Sequence, residues 1–267
     1  MVYIDYICPS RNVINMFTKA IVKKPAKTFA KGITTSSLGK PDYTLTLKQH
    51  EAYCEALIKC GLELTVLEAD PDFPDSCFVE DTAVVTSNFG IITLPGDKTR
   101  QGETPAIEKT LNPLLKLHYI EKPGTLEGGD IMQVENKFYI GLSGRTNLAG
   151  AKQLSNILKN YHFDVYTLPV CNMLHFKTGV NYLGDNNIIL HESFCSAKDL
   201  SSYHQIIVEP DEEYAANALR INDHILVPAG FPKTKAAIKK LGYKIIELEL
   251  SEFQKMDGGL SCLSLRF

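Results

Sequence analysis

The chain has 267 residues, 44% of them hydrophobic and 22% charged, with a formal net charge of −3. That balance describes a soluble globular protein with room for a large core, and it supplies no cationic surface for nucleic acid or an anionic membrane. No apolar run approaches the ~20 residues of a membrane span, the opening MVYIDYI lacks a basic signal-peptide start, and seven cysteines without a Cys-x-x-Cys pair predict reduced thiols in a cytoplasmic protein.

Helical spacing of Leu47, Tyr53, Cys54, Leu57 and Ile58 predicts a helix over 46–60, begun by Pro41-Asp42 and stopped by Gly61. Residues 62–67 read as a strand. The apolar stretch 78–85 reads as another, with Glu80 and Asp81 inside it. A hairpin is expected over 82–94, turning at Ser87-Asn88-Phe89-Gly90. A weaker helix follows over 103–117, interrupted at Pro113. The next hairpin covers 131–140, turning at Glu135-Asn136-Lys137. A helix over 147–160 places Leu154, Ile157 and Leu158 on one face. Two more hairpins cover 180–190, turning at Gly184-Asp185-Asn186-Asn187, and 218–227, turning at Asn222-Asp223. A helix over 232–241, a strand over 244–248 and a final strand over 260–267 complete the chain.

These elements form a repeat. Polar markers precede each hairpin signal, and the chain ends inside the fifth copy. With Glu80, Glu127, His175, Asn217 and Cys262 as markers, the steps are 47, 48, 42 and 45 residues. A period near 45 implies one supersecondary unit repeated around an axis or along a line. No linker or low-complexity tract divides the chain, so 1–267 is expected to be one domain with pseudo-fivefold ββαβ repeats. If the copies close in a ring, the markers meet at its centre. Carboxylates, an imidazole and a thiol would then share one site, the inventory of nucleophilic catalysis.

Cys262 follows Asp257-Gly258-Gly259, where the glycines allow close approach of a ligand. The other six cysteines, Cys8, Cys54, Cys60, Cys77, Cys171 and Cys195, read as structural. Of seven histidines only His175 falls on a marker, and imidazole is the natural proton shuttle near neutral pH. Adjacent Glu80 and Asp81, with Glu127 and Asp130 around Gly128-Gly129, need a compensating cation if buried. The absence of His-x-x-x-His spacing favours an organic cation over a metal. Arg100 and Arg145 are the cations that could clamp a carboxylate bidentately.

Five motifs in order carry a resemblance that spans the chain. They are Phe78-Val79-Glu80-Asp81, Leu126-Glu127-Gly128-Gly129-Asp130, Gly141-Leu142-Ser143-Gly144-Arg145-Thr146-Asn147, His175-Phe176-Lys177 and Asp257-Gly258-Gly259-Leu260-Ser261-Cys262. Together they resemble the dimethylarginine dimethylaminohydrolase family of the guanidine-modifying (amidinotransferase) superfamily. The resemblance implies a pentein fold, a five-bladed α/β propeller. It implies Cys262 as nucleophile, His175 as proton donor and Glu127 as the carboxylate of the catalytic group. It further implies Glu80 and Asp81 as guanidinium-binding acids and Asp75 as another substrate contact. Arg100 and Arg145 would hold the substrate α-carboxylate, Leu38 would belong to a mobile flap, and Met256 would offer a backbone contact to the substrate amine. Phe176, where Leu often follows the His, and the absence of a Cys before Cys262 are two departures from some members.

The implied reaction takes dimethylarginine and water to citrulline and dimethylamine through a covalent thiouronium, with a small guanidino substrate and neither metal nor organic cofactor. Several alternatives stay open. These are a related hydrolase or deiminase acting on arginine, agmatine or citrulline, an amidinotransferase, a non-catalytic pentein binding module, and a repeat scaffold. A homodimer also stays open.

Overall fold

Each hairpin signal becomes the first two strands of a three-stranded sheet, and a third strand joins in parallel after a crossover, in a computed structural model that describes residues 16–267. The first unit holds β1 (Lys19–Lys23), α1 (Tyr43–Lys59) and β2 (Glu63–Leu67). The second runs β3 (Ala83–Val85), β4 (Phe89–Ile92), α2 (Thr104–Leu111) and β5 (Lys116–Tyr119). The third runs β6 (Ile131–Val134), β7 (Lys137–Leu142), α3 (Leu148–Asn160) and β8 (Asp164–Pro169). The short α4 (Phe176–Gly179) leads into β9 (Val180–Gly184), β10 (Asn187–Leu190) and β11 (His204–Ile207). The fifth unit is β12 (Leu219–Ile221), β13 (His224–Pro228), α5 (Pro232–Lys239) and β14 (Lys244–Leu248). A short α6 (Ser251–Gln254) and β15 (Leu265–Arg266) end the chain.

The two ends of the chain complete one another. β15 pairs antiparallel with β1, Ala20 opposite Arg266 and Ile21 opposite Leu265, and β1 pairs in parallel with β2. The first unit thus obtains its missing hairpin strand from the C-terminus, and all five sheets share one order, an antiparallel pair joined by a parallel third strand, as in an α/β propeller. In the fourth unit the crossover holds two single-turn 3₁₀ segments, Glu192–Phe194 and Lys198–Leu200, in place of an α-helix.

No unit can bury its own faces, so the core lies between neighbours. Ile21 and Leu265 pack with Val79, Ile92 and Leu111. Phe89 and Ile91 pack with Phe138, Ile140 and Leu154. Tyr139 and Leu168 meet Phe176, Val180 and Leu190, Leu183 and Ile189 meet Ile225 and Val227, and Leu226 and Phe253 close onto Tyr53 and Leu57. Fully burying each such Leu, Ile, Val or Phe contributes about 1.5–3 kcal/mol. The hairpin strands β4 and β13 are buried at every position, whereas the third strands β2, β5 and β11 are only half-buried or exposed.

Several expectations need correction. α1 is capped by Asp42, whose side chain accepts from Leu45 N, but its buried face is Thr46, Gln49, His50, Tyr53, Ala56 and Leu57. Leu47 and Ile58 are exposed. Gln49 and Thr46 can line this face because Glu252 N donates to Gln49 Oε1 and Thr46 Oγ1 donates to Asp42 O. Glu80 and Asp81 lie in a 3₁₀ turn, Val79–Thr82, ahead of β3, and are not in a strand. Phe89 and Gly90 belong to β4 rather than to the turn. The helix expected over 103–117 ends at Leu111, and β5 follows. Only Leu265–Arg266 of the final stretch is a strand; Cys262 sits in the 3₁₀ turn Ser261–Leu263. Cys171 and Cys195 are exposed free thiols and hold no core together, unlike buried Cys60 and Cys77; Cys8 lies outside the described residues.

Candidate active site

The five markers occupy equivalent places, in the turns that enter the five hairpins. Glu80 lies in Val79–Thr82, and Glu127 precedes the 3₁₀ turn Gly128–Asp130. His175 is the N-cap of α4, Asn217 ends the 3₁₀ segment Pro210–Ala216, and Cys262 lies in Ser261–Leu263.

On one side of the centre stands His175. Its Nε2 is 2.6 Å from Glu127 Oε2 and 3.8 Å from Asp81 Oδ1. The ring is placed by its neighbours in sequence. Phe176 is fully buried, and its backbone N–H donates to Asp130 Oδ1 at 2.9 Å. A Cβ on Gly129 would lie 2.7 Å from His175 Nδ1 and 2.8 Å from Asp81 Oδ1, so only glycine lets the turn come this close. Gly129 thus makes room for the protein's own side chains. Burial opposes charge on His175. The field of Asp81, the hydrogen bond to Glu127 and the nearby Asp130 outweigh it and carry the pKa up to about 9. Glu127 shows the complementary shift: burial disfavours its charge, but His175, Arg100 and Arg145 hold its pKa below the ordinary value. The resting pair is imidazolium and carboxylate.

Opposite stands Cys262, half-buried, its Sγ accepting from Gly259 N at 3.5 Å. The preceding Ser261 donates from Oγ to Glu80 Oε2 at 2.7 Å, and Tyr53 of α1 donates to Leu260 O at 2.8 Å. Glu80 also meets Lys177 at 2.7 Å and Arg266 at 3.0 Å. Burial and the charges of Glu80 and Asp81 push the Cys262 thiol up to about 12, against weaker opposing effects from Gly259 N and Lys177. At neutral pH Cys262 therefore rests as a thiol.

A narrow cleft joins the two sides. It is lined by Asp75, Asp81, Arg100, Arg145, His175 and Cys262, with Ile33, Phe78, Leu174 and Met256 as its apolar walls. Its space of about 30 Å³ suits water, not an amino acid. Asp75, buried, accepts from Ile33 N and anchors the segment 32–40 over this mouth. Burial raises the Asp75 pKa. Thr34 Oγ1 donates to Lys255 O, and Thr35 N and Oγ1 both reach Asp257 Oδ2, at 2.6 and 3.1 Å. Leu38 projects from this segment, 56% exposed, and does not line the cleft.

The two arginines differ. Arg145 gives Nη1 to Glu127 Oε1 at 3.3 Å and is otherwise turned to the cleft. Arg100 is buried, with Nη1 on Asp81 Oδ2 at 2.6 Å, Nε and Nη2 on Glu103, and Nη2 also directed at the carbonyls of Asp75 and Phe78. Glu80 lies behind the cleft, occupied by Ser261, Lys177 and Arg266, rather than in its lining. Sequence reasoning gave no role to Lys177, Ser261, Ile33, Phe78 or Leu174; adjacency to His175 was the one available signal for Lys177 and Leu174. Among the described residues Asp81, Glu127 and His175 are the group whose atoms could surround a metal ion. Asp81 is already met by Arg100 and Gly129 N, and Glu127 by Arg145 and Gly96 N, so the cluster is largely neutralised by the protein.

A thiol and an imidazolium facing one acid-walled cleft can attack a cationic electrophile and protonate its leaving group. Known proteins agree with this chemistry. The family model described as "N,N dimethylarginine dimethylhydrolase, eukaryotic" matches residues 28–201. The N(G),N(G)-dimethylarginine dimethylaminohydrolase of Pseudomonas aeruginosa is 44% identical over 254 residues, 94% of this chain and 100% of that protein. The protein of the same name from Streptomyces coelicolor is 36% identical, over 93% of this chain and 96% of its own. Among solved structures, a Cys→Ser variant of the P. aeruginosa DDAH complexed with citrulline superposes with a TM-score of 0.93, at 44% identity, covering 94% of this chain and 100% of that one. By fold, family model and full-length identity, this chain belongs to the dimethylarginine dimethylaminohydrolase family, with its pentein α/β-propeller fold.

Proposed function

We propose that the chain hydrolyses Nω-methylated arginines to citrulline and a methylamine through a thiouronium on Cys262. The observation that carries this reading is the single cleft lined by Cys262, His175 and Asp81 together. A guanidinium is a permanent, delocalised cation and a poor electrophile. Placed against Asp81 it offsets part of the negative field that, together with burial, keeps the thiol protonated, so substrate binding promotes loss of the Cys262 proton to bulk water. Sγ then attacks the guanidino carbon to give a tetrahedral adduct. His175, charged at rest, donates its proton to the departing nitrogen as the C–N bond breaks. The neutral ring next takes a proton from water, whose oxygen attacks the thiouronium carbon. The C–S bond breaks as the adduct's hydroxyl proton passes to the departing sulfur, which releases citrulline and restores the Cys262 thiol.

In this reading Arg145 meets the substrate α-carboxylate, Met256 offers its backbone to the amine, and the segment bearing Leu38 closes the mouth. Asp75 anchors that segment. Arg100 holds Asp81 in place, and Glu80 acts behind the nucleophile. Residues 1–267 act as one catalytic domain, and the free thiols of the described cysteines suit a cytoplasmic setting. No helix of the described residues is long and apolar enough to cross a membrane.

The test is a substrate panel with mass-spectrometric identification of products: arginine, monomethylarginine, both dimethylarginines, agmatine and citrulline. The reading expects citrulline with a methylamine from the methylated arginines. Preferential release of ammonia from arginine would make the chain a deiminase instead.

A further inference from the structure

Four of the five markers have a place in the chemistry above, and Asn217 has none. It is buried, 6% exposed, at the end of the 3₁₀ segment that enters the fifth hairpin. Its side chain reaches across the centre in two directions. Nδ2 donates to Lys177 O at 2.8 Å and to Ser261 Oγ at 3.1 Å, and Oδ1 accepts from Ser261 N at 3.0 Å. Lys177 stands two residues after His175, and Ser261 stands one before Cys262. We infer that Asn217 is a positioning residue, an amide clamp that sets the Cys262 turn in register with the His175 turn for the two proton-coupled steps. The inference rests on the hydrolase reading.

The chemistry of the amide fits this task. Ser261 N can only donate and Lys177 O can only accept, so the orientation of the amide is fixed by its partners. A carboxylate at 217 would keep the bond to Ser261 N but turn an oxygen toward the Lys177 carbonyl. A hydroxyl is too short to span both. The approach is close enough that a Cβ on Gly259 would lie 2.5 Å from Asn217 Oδ1, so the glycine before the nucleophile clears space for this clamp. Ser261 Oγ donates a hydrogen bond to Glu80 Oε2, and Glu80 is held by Lys177 Nζ, so the same two turns are tied a second time. The clamp touches neither the cleft lining nor the arginine pair, so it governs the alignment of sulfur and imidazole rather than substrate affinity.

Asn181 supplies an internal control. Its Nδ2 donates to the same Lys177 O at 2.7 Å and to Ala216 O at 2.8 Å, yet it makes no bond to Ser261. Loosening the packing around Lys177 would be common to variants at both positions; losing the tie to the Cys262 turn belongs to Asn217 alone.

The experiment measures kcat and KM for dimethylarginine in the wild type, Asn217→Asp, Asn217→Ser and Asn181→Asp, at a temperature well below each melting point. Activity of the wild type comes first. If it releases no dimethylamine, the hydrolase reading fails and the comparison is made with whichever substrate of the panel it does turn over. Misplacing reacting groups by about 1 Å costs on the order of 100-fold in rate. The expected result is a kcat loss of about tenfold or more in both Asn217 variants with KM held within about threefold, and a kcat within about threefold of wild type in Asn181→Asp. If one Asn217 variant does not fold, the other carries the comparison. Near-native kcat in a folded Asn217 variant, an equal loss in Asn181→Asp, or a loss expressed in KM alone would overturn the inference.

Discussion

Glu127 joins His175 to the cationic wall of the cleft: one carboxylate oxygen lies 2.6 Å from His175 Nε2 and the other takes Arg145 Nη1 at 3.3 Å and Gly96 N at 3.0 Å. Its charge therefore has two tasks. In the proposed mechanism it keeps the imidazole protonated before the first step, and it orients Arg145, the residue proposed to face the substrate tail.

Glu127→Gln separates these tasks. The carboxylate raises the His175 pKa, so the amide should lower it from about 9 toward the ordinary imidazole value. The acid form then disappears at a lower pH, and the alkaline loss of adduct formation begins earlier. An NMR titration of His175 in Cys262→Ser, with and without Glu127→Gln, checks the midpoint, and turnover should fall by about 10²–10⁴. An unmoved midpoint would show that Asp81 and Asp130 suffice.

The raised thiol pKa predicts discrimination between alkylating reagents. At neutral pH a neutral haloacetamide should label Cys262 slowly, with a rate that climbs through the alkaline range toward the pKa of about 12. A haloacetamidine carries its own cation to Asp81 and should label the same sulfur much faster at neutral pH. Equal rates for the two, or a preference for another cysteine, would contradict activation by the bound cation.

Arg100 and Arg145 should fail differently. Arg100→Met strands Asp81 and Glu103 without their cation in a buried site, a loss of about 3–5 kcal/mol in stability. Arg145→Lys leaves the fold intact but replaces a planar fork with a point charge, raising KM by about tenfold. Denaturation midpoints and steady-state kinetics distinguish the two. Agmatine, which lacks the α-carboxylate, should be a poor substrate for the wild type and no poorer for Arg145→Lys.

Asp257 has a positive φ of 57° and holds both Thr35 N and Thr35 Oγ1. Asp257→Gly removes the acceptor and accommodates that backbone without strain. The cleft mouth should then open more readily, with KM rising by about 3–10-fold and kcat kept or increased. Unchanged KM would mean that the Asp75 anchor alone controls closure.

The repeat was legible because its signals are local. Turn pairs such as Asn222-Asp223 and Glu135-Asn136, and the caps at Asp42 and Asn147, are local features of the chain, and they recur where the structure has them. The outer strands β5, β8 and β11 left no such trace. Each is an edge strand with mixed exposure, and Lys116–Tyr119 carries no clean alternation to distinguish it from the end of a helix. The site divides in the same way. The markers Cys262, His175 and Glu127 were visible through their period. The neutralisation of Glu80 by Lys177 and Arg266 depends on partners 97 or more residues away in sequence, which no local pattern reports. The pair Gly258-Gly259 was read as space for a ligand, whereas in the structure it admits Phe78 and Asn217.

The central claim is tested most directly by acid-quenching the enzyme during turnover of dimethylarginine, then mapping the adduct by peptide mass spectrometry while dimethylamine is quantified in the same sample. The account predicts a thiouronium-sized mass increase confined to the peptide bearing Cys262, formed with a stoichiometric burst of dimethylamine and absent in Cys262→Ser. Dimethylamine released with no covalent species on Cys262, or sustained turnover by Cys262→Ser, would contradict it.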